Sequence, residues 1–266
     1  MTNPAADPAA SAHPARTARL NPTGSTEQPA TEQPSTEQPD GYTLWAVFRR
    51  DPSNPDDSGR QDHGGHDVPE AVAQLDAIVR SVEDQGVSIR GFYDVSGLRA
   101  DADLMVWLHG PVAETLQWGI RQLRRAQLVK ALLPVWNAMG VHRGAEFNKS
   151  HVPAFLRDTE PKGWLAVYPF VRSYDWYLLP PEDRSRMLSE HGRRGAAYRS
   201  VLSNTVAAFA LGDYEWIVPL ESDELTDLVD LMRDLRGVDA RLHVREEIPF
   251  FTGRRVETAE IPEILR

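Results

Sequence analysis

Cysteine is absent from all 266 residues. Its absence excludes disulfides, iron–sulfur clusters, thiolate zinc sites and the C-x-x-C-H attachment of haem, and leaves any metal to histidine, carboxylate or a porphyrin. Basic residues are in deficit: 29 Lys and Arg against 39 Asp and Glu give a net charge of -10. That balance repels phosphate backbones and anionic lipid surfaces, so nucleic acid is not an expected partner. No stretch approaches about 18 uninterrupted apolar residues, and the start M-T-N-P-A-A-D-P-A-A lacks a charged segment followed by an apolar run. No membrane span is expected, and the chain reads as cytoplasmic.

What is present divides in two. Residues 1–40 are Pro, Ala, Thr, Glu and Gln, with S-T-E-Q-P, A-T-E-Q-P and S-T-E-Q-P in tandem, a composition that cannot bury enough apolar area to offset ordering and predicts a disordered tail. From Gly41 onward, strand and helix patterns alternate: strands at 42–48, 87–95 and 102–110, a helix through Val72, Leu75, Val79 and Val82, and a long amphipathic helix from near Pro111. The second half repeats the plan with a strand at 164–178, a helix at 181–209, a strand at 213–221, a helix at 223–236 and a strand at 239–251. D-L-M-V-W-L-H-G-P-V-A-E-T-L and Y-E-W-I-V-P-L-E-S-D-E-L-T-D-L each read as a strand, a turn and an acidic-capped helix. The expected fold is α+β: duplicated ferredoxin-like halves, 41–155 and 156–266, forming a barrel of the dimeric α+β type.

Alternation along G-W-L-A-V-Y-P-F-V-R puts Trp164, Ala166, Tyr168, Phe170 and Arg172 on one side, and Leu165, Val167 and Val171 on the other. A strand apolar on both faces is buried on both, so the Arg172 charge must meet an anion or reach the strand's end. In the helix that follows, Met187, Leu188 and His191 fall on one stripe that continues through Gly195, Tyr198, Val201, Leu202, Thr205 and Phe209. His191 is then either a hydrogen-bonded core histidine or an axial ligand to a haem iron. Gly192 and Gly195 are costly inside a helix and would leave room for something flat. H-G-G-H, with His63 and His66, has metal-like spacing but lies in a Gly- and Asp-rich loop.

Y-P-F-V-R-S-Y-D-W-Y-L-L-P, R-M-L-x-x-H-G-x-x-G, N-T-V-x-x-F-A-L-G-D-Y-E-W-I-V and H-V-R-E-E-I-P-F-F-T-G-R-R together resemble the actinobacterial coproheme decarboxylases of the chlorite dismutase-like superfamily, from about Tyr42 to Val256. The resemblance implies a peroxide-dependent heme synthase that converts two propionates of iron coproporphyrin III into vinyls, giving haem b, and it implies a homopentamer that receives coproheme from a ferrochelatase. By position it implies His191 as axial ligand of the iron, Tyr168 as the redox-active tyrosine and His151 as the distal histidine. Arg172 is a propionate clamp on this reading; Trp176, with Tyr174 and Tyr177, would line the pocket, and Arg241 is a further propionate candidate. G-A-A-Y at 195–198 departs from the expected G-R-x-Y. Two other readings remain at this point: a haem b enzyme acting on chlorite or peroxide, and a haem carrier or cofactor-free barrel without activity.

Overall fold

The structure, a computed structural model, describes residues 41–53, 68–143, 152–157 and 159–266. The tail, His63, His66 and His151 lie outside the described residues. The first part runs β1 (Tyr42–Arg49), α1 (Val68–Glu83), β2 (Ser88–Asp94), β3 (Leu104–Gly110), α2 (Ala113–Leu123) and β4 (Leu133–Val141). The second runs β5 (Trp164–Arg172), α3 (Pro181–Gly195), β6 (Leu202–Ser203), β7 (Val206–Ala207), β8 (Trp216–Ser222), α4 (Leu225–Leu235), β9 (Val244–Glu246), β10 (Phe251–Val256) and the short α5 (Ile261–Ile264).

All pairings are antiparallel. The order β4-β1-β3-β2 recurs as β7-β8-β5-β10, β7 joins β4 and β10 joins β2, and the β5–β8 pairing closes the sheet into a barrel. Closure removes the free edges that an open sheet would expose. Both seams close at a glycine. A Cβ on Gly140 of β4 would collide with the Val206 side chain of β7, and one on Gly253 of β10 would sit 2.8 Å from the Asp94 carbonyl oxygen. At Gly253 the backbones themselves approach too closely for a side chain, and at Gly140 the Val206 side chain fills the space that one would need.

Strand alternation sorts the core into three layers. Inside the barrel lie Trp45, Val47, Tyr93, Met105, Trp107, Leu165, Val167, Ile217 and Phe251. The outer face of the first half packs Leu44, Ala46, Phe48 and Val106 under Leu75 of α1 and Leu116 of α2. The outer face of the second half carries Ala166, Tyr168, Phe170, Trp216 and Val218 against Leu228 and Leu231 of α4.

Charge also enters the barrel. Arg90 of β2 donates to both Glu221 carboxylate oxygens, the shortest contact being 2.8 Å, with the two side chains 5% and 0% exposed. Asn204 Nδ2 adds a bond to Glu221 at 2.9 Å, and the Phe155 amide reaches Asn204 Oδ1 at 3.0 Å. Breaking such a pair strands a buried charge, so Glu221→Ala is expected to lower unfolding free energy by roughly 3 to 5 kcal/mol in urea denaturation, with much of the loss recovered in Arg90→Met/Glu221→Leu.

Several sequence expectations are corrected. The helix expected at 181–209 ends at Gly195, where the Tyr198 amide bonds Gly195 O in a turn. Beyond it the chain turns and forms β6 and β7, which pair with β8, and of the apolar stripe only Leu202 lies in these strands. The strand expected to 178 stops at Arg172, and Trp176–Leu178 forms a separate 3-10 turn. The strand expected at 239–251 is a 3-10 turn at Asp239–His243 followed by the short β9, with β10 beginning only at Phe251. Neither α2 nor α4 has a side-chain cap; their acidic residues Glu114 and Asp227 act from the first turn. Among the described residues, no helix is long and apolar enough to cross a membrane.

Candidate active site

The two halves differ in what covers their outer faces. In the first, α1 and α2 both pack on the strands. In the second, α4 packs on β8, whereas α3 packs on α4 and on the Asp239–His243 turn. Arg194 of α3 holds Asp234 of α4 at 2.8 Å, and Tyr198 donates to the Asp230 carbonyl at 3.2 Å, so the two helices are tied to each other. The sheet face beneath is consequently thinly covered: Tyr168, Phe170, Trp216 and Val218 retain 6–8% exposure, against 0% for Leu165, Val167 and Ile217 on the inner face.

Tyr168 sits near the middle of β5. Its ring stacks on Phe250 with centroids 4.2 Å apart, and its hydroxyl donates to Met232 Sδ at 3.4 Å. Burial, reinforced by the Glu247 carboxylate and partly opposed by Arg236 and Arg241, pushes the phenol well above its ordinary titration range. It is a protonated phenol at neutral pH. Beside it opens a cavity of about 320 Å³, walled by Ala166, Leu225, Leu228, Met232, Phe250 and Thr252, with Arg233 and Arg236 also among its lining residues. Its wall is almost wholly carbon, as suits a large apolar ligand.

Arg172 ends the strand, buried, with its guanidinium 5.0 Å from the Phe170 ring centroid and 4.1 Å from that of Trp176. Glu215 fixes this end of the sheet by accepting the Arg172 amide at 2.8 Å and the Tyr177 hydroxyl at 2.9 Å. Trp176 is fully buried, packed with Met187 and Leu188 of α3, Val238 and Ala240. Tyr174, by contrast, is exposed.

His191 lies half-buried on α3, on the stripe of Met187 and Leu188. Burial, and secondarily the Arg172 charge, lowers its titration and favours the neutral imidazole. Among the described residues, no three His, Asp or Glu side chains gather into a metal site. A Cβ added at Gly192 or Gly195 would meet nothing within 4 Å. A neutral imidazole, open space along its helix and an apolar face ending in a buried arginine fit an iron porphyrin bearing carboxylates.

Tyr168 and Arg172 lie on β5, Trp176 stacks under the Arg172 guanidinium, His191 on α3 feels the Arg172 charge, and Arg241 lies in the Asp239–His243 turn. Arg241 meets Glu247 at 2.6 Å. Sequence reasoning missed Glu215, Arg236, Glu247, Met232 and Phe250. Glu215 lies in N-T-V-x-x-F-A-L-G-D-Y-E-W-I-V, Met232 and Arg236 in the helix read at 223–236, and Glu247 and Phe250 in E-E-I-P-F-F, but nothing in those patterns singles them out.

Residues 68–256 match the family model described as chlorite dismutase. The fold is shared with chlorite dismutase from Candidatus Nitrospira defluvii in complex with imidazole: TM-score 0.72 at 20% identity, covering 85% of this chain and 95% of that one. The chain belongs to the chlorite dismutase family. Within that family its similarity runs to the coproheme decarboxylases, the enzyme of that name from Mycolicibacterium smegmatis being 53% identical over 221 residues, 83% of this chain and 92% of the relative.

Proposed function

We propose that this chain decarboxylates two propionates of iron coproporphyrin III with hydrogen peroxide as oxidant, giving haem b. The observation that carries the reading is the pairing of Tyr168 with Arg172 on one outward strand face, with the His191 imidazole within reach of the Arg172 charge, in a chain 53% identical to a coproheme decarboxylase. The second half, residues 156–266, is the porphyrin-binding half.

Each turnover of a propionate takes up one peroxide and one proton and yields a vinyl, carbon dioxide and two waters. The iron porphyrin, as substrate, supplies the redox chemistry with peroxide. The protein's part is placement. His191 binds the iron from α3, Arg172 holds a propionate by charge-assisted hydrogen bonds, and the strand-fixed Tyr168 removes hydrogen from the propionate β-carbon, the one next to the porphyrin ring, as the carboxylate leaves its neighbour as carbon dioxide. Trp176 supports the Arg172 guanidinium from beneath, and Arg241 binds a second carboxylate. His151 moves a proton on and off peroxide. The chain works in the cytoplasm as a homopentamer and takes coproheme from a ferrochelatase.

The test is to mix the purified chain with coproheme, add peroxide and follow porphyrin mass. Two successive losses of the elements of formic acid are expected. Binding without loss would make the chain a carrier, oxygen release from chlorite would make it a chlorite enzyme, and no Soret change on titration would remove porphyrin from the reading.

A further inference from the structure

Arg236 caps the C-terminus of α4, and Arg241 follows in the Asp239–His243 turn. Both guanidinium groups bond the same oxygen, Oε2, of Glu247, at 2.5 and 2.6 Å. The Glu247 side chain is 14% exposed, and the arginines are 41% and 37% exposed. The carboxylate is therefore covered while the cations reach solvent. Arg236 also lines the carbon-walled cavity that opens at Tyr168. Two guanidinium groups converging on one carboxylate oxygen, at the rim of an apolar cavity, provide what an acid with a large apolar body requires: charge-assisted bonds for the carboxylate and carbon for the rest.

We propose that Arg236 and Arg241 form one binding site for a porphyrin carboxylate, and that Glu247 occupies this site in the substrate-free chain and is displaced when that carboxylate enters. This rests on the reading of the site as porphyrin-binding and adds the chain's own competitor for it. The exchange is nearly balanced. One carboxylate replaces another on the same two arginines, which solvent reaches, and the covered Glu247 carboxylate regains water as it leaves. Glu247 thereby sets specificity. A porphyrin bringing its own charge displaces it, whereas a neutral porphyrin of the same size does not.

The experiment is a Soret titration of the full chain and of Glu247→Gln with iron coproporphyrin III and with its tetramethyl ester. Glutamine keeps the side chain's length and hydrogen-bonding capacity and loses only the charge. The acid is expected to bind the variant roughly three- to tenfold more tightly, the ester to bind both proteins alike, and the gain to vanish in Glu247→Gln/Arg236→Ala. Glu247→Asp, which retracts the carboxylate by one methylene, should show a smaller gain of the same sign. Unchanged or weaker binding of the acid by Glu247→Gln would make Glu247 a brace for the two arginines and overturn the proposal, as would an equal gain for the ester. If the parent chain itself bound no coproheme, the reading of the whole site would fall, and that is seen before any variant is compared.

Discussion

Tyr168→Phe is expected to bind coproheme within about tenfold of the parent and to reduce decarboxylation to a trace. Phenylalanine keeps the ring, its stacking on Phe250 and its place on the outer face of β5. The lost hydroxyl makes a single contact, to the Met232 sulfur. A hydrogen bond to an ordinary acceptor contributes roughly 0.5 to 1.5 kcal/mol, and a thioether is a poorer acceptor still, so neither folding nor binding should suffer much. The chemistry should suffer completely. On the proposed reading the phenol is the group oxidised, and its proton must leave as it is oxidised. Burial holds that proton on in the resting chain, so its departure has to be matched to the oxidant. With phenylalanine, peroxide should still be consumed, but the product should be bleached porphyrin rather than haem b. Mass spectrometry of the porphyrin under limiting peroxide decides the matter: formation of haem b near the parent rate would return Tyr168 to core packing.

The residues that carry this prediction were legible because β5 obeys a period of two. Tyr168 and Arg172 are four residues apart on one strand, and no long-range contact is needed to see that they share a face. The same local logic found β1, β2, β3, β8, α1 and α4. It failed where the barrel is closed by distant partners. β6 and β7 have two residues each, too few for any periodicity, and owe their existence to β8 and β4. β4 was missed because L-P-V-W-N-A-M-G-V contains Pro134, Asn137 and Gly140, all poor strand residues; pairing with β1 along its whole length overrides them. The overlong helix arose from a chance continuation of apolar spacing past two glycines, a weaker signal than the glycines themselves. The convergence of Arg236, Arg241 and Glu247 was invisible for a different reason: it depends on how the 3-10 turn at Asp239–His243 folds the chain back, and sequence spacing does not encode that.

His191→Ala should abolish the protein-ligated ferric spectrum of bound coproheme while leaving the fold intact. The histidine occupies a stripe whose other members, Met187 and Leu188, are buried and apolar, so alanine is tolerated there; the helix itself is held by Arg194 to Asp234 and by its packing on α4. Removing the imidazole should even favour the folded state slightly in acid. Its titration is depressed by burial and by Arg172, so below the ordinary histidine value of about 6.5 the unfolded chain binds the proton more readily, and the parent loses stability as pH falls through that range. The alanine variant lacks that penalty, and its denaturation midpoint should fall less than the parent's between neutral and mildly acidic pH. Added imidazole supplies the complementary readout. Deleting the ring leaves its own volume for a small free base. Exogenous imidazole should restore the ferric spectrum in His191→Ala and leave the parent's unchanged. Retention of the parent spectrum in the variant without imidazole would place the iron's ligand on another residue and move the porphyrin away from α3.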